Sequence, residues 1–407
     1  MGKYAGINNT MISSGQCAKI LFLFALGSAA LILPTAVTVI AKQDAWISML
    51  LAGPINYFVV MIYLALADRF PNLTLAQYSE KVIGTWAGKA FTLTFVFFML
   101  LLSALVLRNI SDFITLSVLP LTPLWFINVT FMVVIIYGVY LGIETIARTG
   151  EIIFSWGMFV MTILVFALFS QFNFHNFEPF LYEGWMRPVK GIYPILGFPI
   201  GEFVFLTAIL PLIKQEDRQK LRKHLKLSVV LISTMSILMV VFLLGVMGVY
   251  EASRSPFAIY DMVKYINIEE ILVRVEVLVA VIWVGTVFMK LALCVYTLSV
   301  MSAQMLKLAT YRPLVAPYAF IIVPLSMIVY RNNAHANHFA MEVWTVYSVF
   351  QGVVLPLGLL LVAVIRGKKD FSDGSFPEPK KVEKKAGGEK GAGGTSGGAA
   401  GGDPSPA

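Results

Sequence analysis

Apolar residues run along this chain in long continuous stretches, not in the alternation of a half-buried strand. Ten such stretches can be drawn, near residues 13–41, 46–69, 86–119, 124–146, 151–172, 193–214, 227–250, from 271 on, 313–330 and 341–365. A helix needs ~20 mostly apolar residues to cross a bilayer. The pattern therefore predicts an all-α polytopic membrane protein with ten transmembrane helices. The sixth stretch is the least regular. Gly197, Phe198, Pro199, Ile200 and Gly201 put two glycines and a proline in its first half, and Glu202 follows at once. Proline removes a backbone donor and glycine costs backbone entropy, so a continuous helix is disfavoured there. A carboxylate at mid-bilayer costs roughly 2.5–3.5 kcal/mol on insertion scales and must face protein or water. A broken helix whose freed backbone groups line a polar site fits these residues. A proline-kinked packing helix with a satisfied glutamate fits them as well.

Composition narrows the class. The 407 residues are 58% hydrophobic and 13% charged, with a mean hydropathy of +0.79. A soluble chain cannot bury that much apolar surface, and barrel-type alternation is missing. The net charge of +8 does not mark a nucleic-acid binder. Its basic residues gather in the loop carrying Arg218, Lys220, Arg222 and Lys223 and in the tail with Lys380, Lys381, Lys384 and Lys385. By the positive-inside rule both termini are expected to be cytoplasmic. The polar start leads into a full-length span, so no cleavable signal peptide is expected. Cys17 and Cys294 fall inside apolar stretches and read as small core residues. No P-loop, GxSxG or HExxH is present, and no cofactor, metal or catalysis is expected. His335 and His338 read as surface residues.

Ten spans divide into two fives, and because five is odd the second five is inverted relative to the first. The expected organisation is a short cytoplasmic N-terminus (1–11), a first five-helix repeat (12–172) and an external aromatic connector (173–192). A second, inverted repeat (193–366) and a disordered cytoplasmic tail (367–407) complete it. The tail is Gly-, Ala-, Ser- and Pro-rich and too poor in apolar residues to offset ordering entropy. The segment 251–270 reads as a short amphipathic helix acting as a lid over an external mouth or, by default, as an interfacial linker. Each five opens with an interrupted span: Gly27-Ser28-Ala29 in the first, 197–201 in the sixth. Interruptions at matching places are the best sequence pointer to a binding site in an inverted-repeat transporter fold. Half-helix N-termini suit a carboxylate and half-helix C-termini suit an ammonium, so a zwitterion such as an amino acid satisfies both.

Arg108 and Asp112 stand four apart in span three, on one helix face, and read as a structural ion pair. Arg274 and Glu276, near the outer end of span eight, are expected to snorkel. Lys290 lies near the middle of span eight. It can replace a coupling cation, pair with Glu202, contact a ligand or serve structure alone.

These residues, taken in order, resemble a known family. Ile12-Ser13-Ser14-Gly15-Gln16, Leu31-Ile32-Leu33-Pro34, Trp46, Arg108, Asp112, Gly201-Glu202 with its basic loop, and Trp283 are similar to the B subunit of the spore germinant receptors. The resemblance spans roughly residues 9–366. It implies the inverted-repeat fold of the amino acid–polyamine–organocation transporters, with broken helices 1 and 6, and residence in the inner membrane of bacterial spores. It implies a sensor of a small nutrient germinant, commonly an amino acid, working with a membrane A subunit and a lipoprotein C subunit. An active amino acid transporter of the same superfamily is the alternative. Carried over by position, the pocket comprises Gly27, Ser28, Ala29, Phe98, Leu102, Phe198, Ile200, Gly201, Glu202 and Lys290. Lys290 departs from the family's usual uncharged polar residue and suits a carboxylate-bearing ligand.

Overall fold

The computed structural model describes residues 11–27, 29–266, 275–331 and 333–369. Ser28, Arg274 and nearly all of the tail lie outside the described residues. Apart from one isolated β-bridge, regular structure among the described residues is helical. Eight helical stretches are long and apolar enough to cross a membrane, and two shorter apolar helices accompany them. The protein is a multi-pass membrane protein.

The chain begins with α1 (Ser14–Leu26) and α2 (Ala29–Ala41). It continues through α3 (Ala45–Arg69), α4 (Leu75–Ile83) and α5 (Thr85–Phe113) to α6 (Leu124–Leu141) and α7 (Ile143–Leu168). Only Gly142 separates α6 from α7. Its φ of +96° belongs to glycine, and its amide closes α6 on Val139 O at 3.2 Å. An aromatic connector with exposed Phe174, Tyr182 and Trp185 follows. Then come α8 (Met186–Lys190), α9 (Ile192–Gly197), a 3₁₀ segment (Ile200–Phe205) and α10 (Leu206–Ile209).

The long α11 (Arg218–Arg254) turns out of helical geometry at Gly248, where φ is +73°. A carbonyl one turn before that turn, Gly245 O, is taken up by the connector. Asn173 N–H and the Asn176 side-chain amide both donate to it at 2.9 Å. Beyond it, α12 (Ala258–Val263) is buried, not a linker lying on the surface. Phe257 and Tyr260 pack edge-on against Phe113, which also meets Trp283. Apolar burial of that size outweighs interfacial exposure.

The remainder is α13 (Glu276–Met305), α14 (Arg312–Ile328), α15 (Asn333–Phe339), α16 (Thr345–Val349) and α17 (Leu355–Ile365). Five-residue π-turns, Ala340–Trp344 and Phe350–Val354, flank α16. Almost every residue of α13 from Val287 to Ala303 is buried. A helix that is apolar all round belongs at the centre of a bundle. It runs along α5 and touches α1, α7, α6 and α14.

The start of α1 shows what the Ile12–Gln16 stretch does. Ser13 Oγ accepts from Gln16 N–H at 3.1 Å, and Gln16 Oε1 accepts from Ser13 N–H at 2.9 Å, a closed capping box. Ser14 then meets His224 at 2.8 Å, and its amide donates to Asp217. Ile12 N–H donates to Leu212 O at 3.1 Å, and Lys214 N–H to Ile12 O at 3.2 Å. The beginning of the first span is thereby bonded to the end of the sixth.

Candidate functional site

Both interruptions are visible in the backbone. Helix α1 ends at Leu26, and Gly27 has ψ of −102°, outside helical range. In the sixth stretch α9 ends at Gly197, Phe198 is extended, and the Phe198–Pro199 bond is cis. The chain resumes as the tighter 3₁₀ segment that carries Gly201 and Glu202.

Lys290 of α13 reaches into the space between these two places. Its Nζ lies 2.5 Å from Glu202 Oε2, and both side chains have no solvent exposure. Two charges out of water need each other, because either alone pays several kcal/mol of desolvation. The lysine's alkyl chain runs along Gly27. A Cβ at that position would meet Lys290 Cβ and Cδ at 3.0 Å. Glycine there makes room for the lysine. The ammonium also sits 5.1 Å from the centre of the Phe24 ring, which stacks on Phe205 at 3.9 Å. So Phe24 and Phe205, one beside each interruption, roof the ion pair.

The second carboxylate oxygen, Glu202 Oε1, has no hydrogen-bond partner among the described residues. The indole Nε1–H of Trp344 is turned toward this carboxylate without reaching full hydrogen-bond geometry. The two groups face each other, so a small polar group could enter here only by coming between or replacing them. Trp344 is held by aromatic neighbours. It stacks on Phe98 at 5.3 Å with a 7° interplanar angle, and Phe198 and Tyr347 lie at 6.0 and 6.1 Å.

The 3₁₀ segment is set against the last span by glycines. A Cβ on Gly201 would meet the Ser348 carbonyl carbon at 2.7 Å, and one on Gly197 would meet Thr345 Oγ1 at 2.5 Å. Ser348 Oγ donates to Gly197 O at 3.3 Å, and Tyr63 Oη donates to Gly352 O at 2.6 Å. Small residues let two backbones come this close.

The residues expected from sequence divide accordingly. Gly27, Phe24's neighbour along the break, comes together with Glu202 and Lys290. Phe98 and Phe198 reach the same site through Trp344. Ile200 and Gly201 are buried in the segment that carries Glu202, with Gly201 turned to the last span. Leu102 is buried one turn beyond Phe98, and Ala29 is buried at the start of α2. Ser28 lies outside the described residues. Sequence reasoning did not reach Trp344, Thr345, Ser348 and Gly352. Their i, i+4 spacing, with a Trp, a Ser and a Gly on one stripe, is the signal that was there to find.

Arg108 and Asp112 form a separate centre, about 15 Å further along α5 than Phe98. Arg108 Nε is 2.8 Å from Asp112 Oδ1, and Nη1 donates to Ser326 O and Met327 O at 3.2 and 3.1 Å. Its guanidinium lies 4.7 Å from the Tyr330 ring centre. This cluster closes the C-terminal end of α14 onto α5. Among the described residues no group of three His, Cys, Asp or Glu is placed to hold a metal ion.

The helical bundle has the fold of the LeuT-type transporters. The solved structure of MhsT in complex with L-phenylalanine superposes with a TM-score of 0.60 at 12% identity, covering 87% of this chain and 99% of that one. A manganese transporter mutant of Eremococcus coleocola gives 0.50 at 13% identity, over 87% and 85%. Within that fold the chain belongs to the spore germination protein family, whose spore permease model matches residues 11–335. Among its Bacillus subtilis relatives, spore germination protein KB is 27% identical over 364 residues, 88% of this chain and 96% of that one. Spore germination protein YndE is 25% identical over 299 residues, 73% and 81%.

Proposed function

We propose that this protein is the germinant-sensing B-type subunit of a spore germination receptor, without catalytic activity. It binds one small zwitterion, such as an amino acid, between the interruptions of the first and sixth spans and the facing sides of α5 and α13. The observation that carries this reading is the buried Glu202–Lys290 pair, with the Trp344 indole turned toward the same carboxylate. A zwitterion matches that pair charge for charge: its ammonium takes Glu202 and its carboxylate takes Lys290. Exchange of one salt link for two keeps both protein charges compensated throughout. In the conformation described, the lysine's own chain lies along Gly27. Binding then requires Lys290 to swing from Glu202.

The same reading places both termini in the cytoplasm, the protein in the spore inner membrane, and the A subunit and the C lipoprotein beside it. The A and C partners rest on the family relationship alone. The test is a thermal-shift screen of amino acids, sugars and nucleosides on the purified protein. A ligand at a hundredfold excess over Kd adds about 2.7 kcal/mol of apparent stability. The expected result is a shift with one or more amino acids that is lost in Glu202→Gln. No shift with any of them, in protein that melts cooperatively, overturns the reading.

An active amino acid transporter is the second reading, favoured by the fold shared with MhsT. Fold alone does not choose between the two. Concentrative uptake of a labelled amino acid by this chain alone in proteoliposomes would establish the transporter instead.

A further inference from the structure

Three cavities that share wall residues line up along one flank of the bundle between α1, α7, α11 and α13, apart from the site above, and together are termed the crevice. Its first chamber, about 230 Å³, lies near the start of α11 and is walled by Lys19, Phe22, Phe154, His224 and Leu231 among others. Phe22 and Phe154 also line a neck of about 30 Å³. Met161, Met235 and Met239 line both that neck and a second chamber of about 280 Å³. In the second chamber every wall residue but Thr162 is apolar. The walls are apolar nearly throughout, and Lys19 and His224 mark one end as the end nearest charge. Methionines let the other end adapt to an irregular apolar guest.

On the turns of α7 and α11 nearest Lys19 and His224 the exposed charges are basic, Arg148, Lys220 and Lys223 among them, while Glu144, Glu151 and Asp217 are half-buried. The acids on the same elements are already engaged. Glu151 holds Lys19 at 2.8 Å and Gln16 at 3.1 Å, Glu144 accepts from Met11 N–H, and Asp217 accepts from Ser14 N–H. Along α11, Leu227 to Met235 covers ~12 Å. One leaflet supplies ~15 Å of hydrocarbon, half the core thickness. A lipid chain rooted at the basic end therefore reaches the methionines.

The geometry points to a seat for one anionic phospholipid, its phosphate among Lys19, Lys220, Lys223 and Arg148 and one acyl chain in the crevice. A juxtamembrane basic cluster attracts anionic headgroups, and the apolar chambers select the chain. The seat has a bearing on the broken span. Leu26 and Ala30, on either side of Gly27, form part of the neck wall, as does Thr286, one turn before Lys290. A chain in the neck lies directly behind the first interruption and braces it.

The experiment uses the full-length protein in nanodiscs containing a phosphatidylglycerol analogue with a photoactivatable group at the acyl terminus. Cross-linked peptides are mapped by mass spectrometry. Labelling is expected to concentrate on the Met158–Met161 and Met235–Met239 stretches. It should fall at least several-fold with the phosphatidylcholine analogue, and likewise in K220E/K223E. Gly157→Phe is the companion variant, because a Cβ at Gly157 meets only Ile282 Cγ2 at 3.7 Å, an ordinary contact, while the ring fills the neck. It should abolish labelling at Met235 while the melting temperature holds. Should K220E/K223E fail to fold, a salt titration of wild type replaces it, with labelling by the anionic probe alone expected to drop. Equal labelling by the two headgroups, equal labelling by a free fatty-acid probe, or labelling spread evenly over lipid-facing residues such as Phe126 and Val133 would each overturn the proposal.

Discussion

The carbonyl of Gly201 faces Gly352 so closely that a Cβ on Gly352 would collide with its oxygen. The 3₁₀ segment carrying Glu202 is therefore positioned by the last span through bare backbone. Gly352→Ala is expected to lower stability by at least the 1–3 kcal/mol typical of overpacking, about that range or above. Thermal melting in detergent reads this. A variant with wild-type melting would show that the two segments do not meet. The replacement of Gly201 should cost as much, because its own Cβ would strike the Ser348 backbone.

Removing one member of the Glu202–Lys290 pair strands the other. Lys290→Met and Glu202→Gln should each destabilise the protein, the former by about 3–5 kcal/mol. The double variant should recover most of that loss, since it leaves no uncompensated buried charge and only the smaller cost of a buried amide. Melting temperatures of the four proteins form a double-mutant cycle. Additive losses would mean that the two side chains are not coupled.

Arg108 makes a different case. Lysine at this position keeps the charge but not the planar fork that serves Asp112 and the last carbonyls of α14 together. Arg108→Lys should lower the melting temperature clearly and Arg108→Ala further still. Ligand affinity per folded molecule should stay at the wild-type value in both. A change in affinity with unchanged melting would place this cluster in the binding site instead.

Ser13→Ala opens the capping box of α1 and is expected to cost about 1 kcal/mol. Ser13→Asp should restore most of it, because aspartate caps equally well. Equal melting of Ser13→Ala and wild type would show the cap to be idle.

Much of this was legible in the sequence because a bilayer enforces it. A backbone that must satisfy itself in hydrocarbon forms helices wherever apolar runs are long enough, so the spans could be read from composition alone. The interruption at 197–201 shows in the residues themselves, since Gly and Pro act locally. The partner that receives it does not. Nothing near Gly201 announces Gly352, and Trp344 looks like any aromatic residue near a membrane interface until its plane is found against Phe98. The 251–270 segment misled for a related reason. Its polar residues suggest surface, while Phe257 and Tyr260 are anchored by Phe113 and Trp283, whose positions only tertiary structure reveals. Lys290 shows the limit most directly: sequence leaves four roles open, and a 2.5 Å separation reduces them to those compatible with pairing to Glu202.

The short parallel bridge at Ile12 and Ile213 ties together two segments far apart in sequence, the start of α1 and the end of the stretch that carries Glu202. Two stubs clamped in this way cannot travel separately without sacrificing both amide links. Whatever moves at this end therefore carries both segments along together.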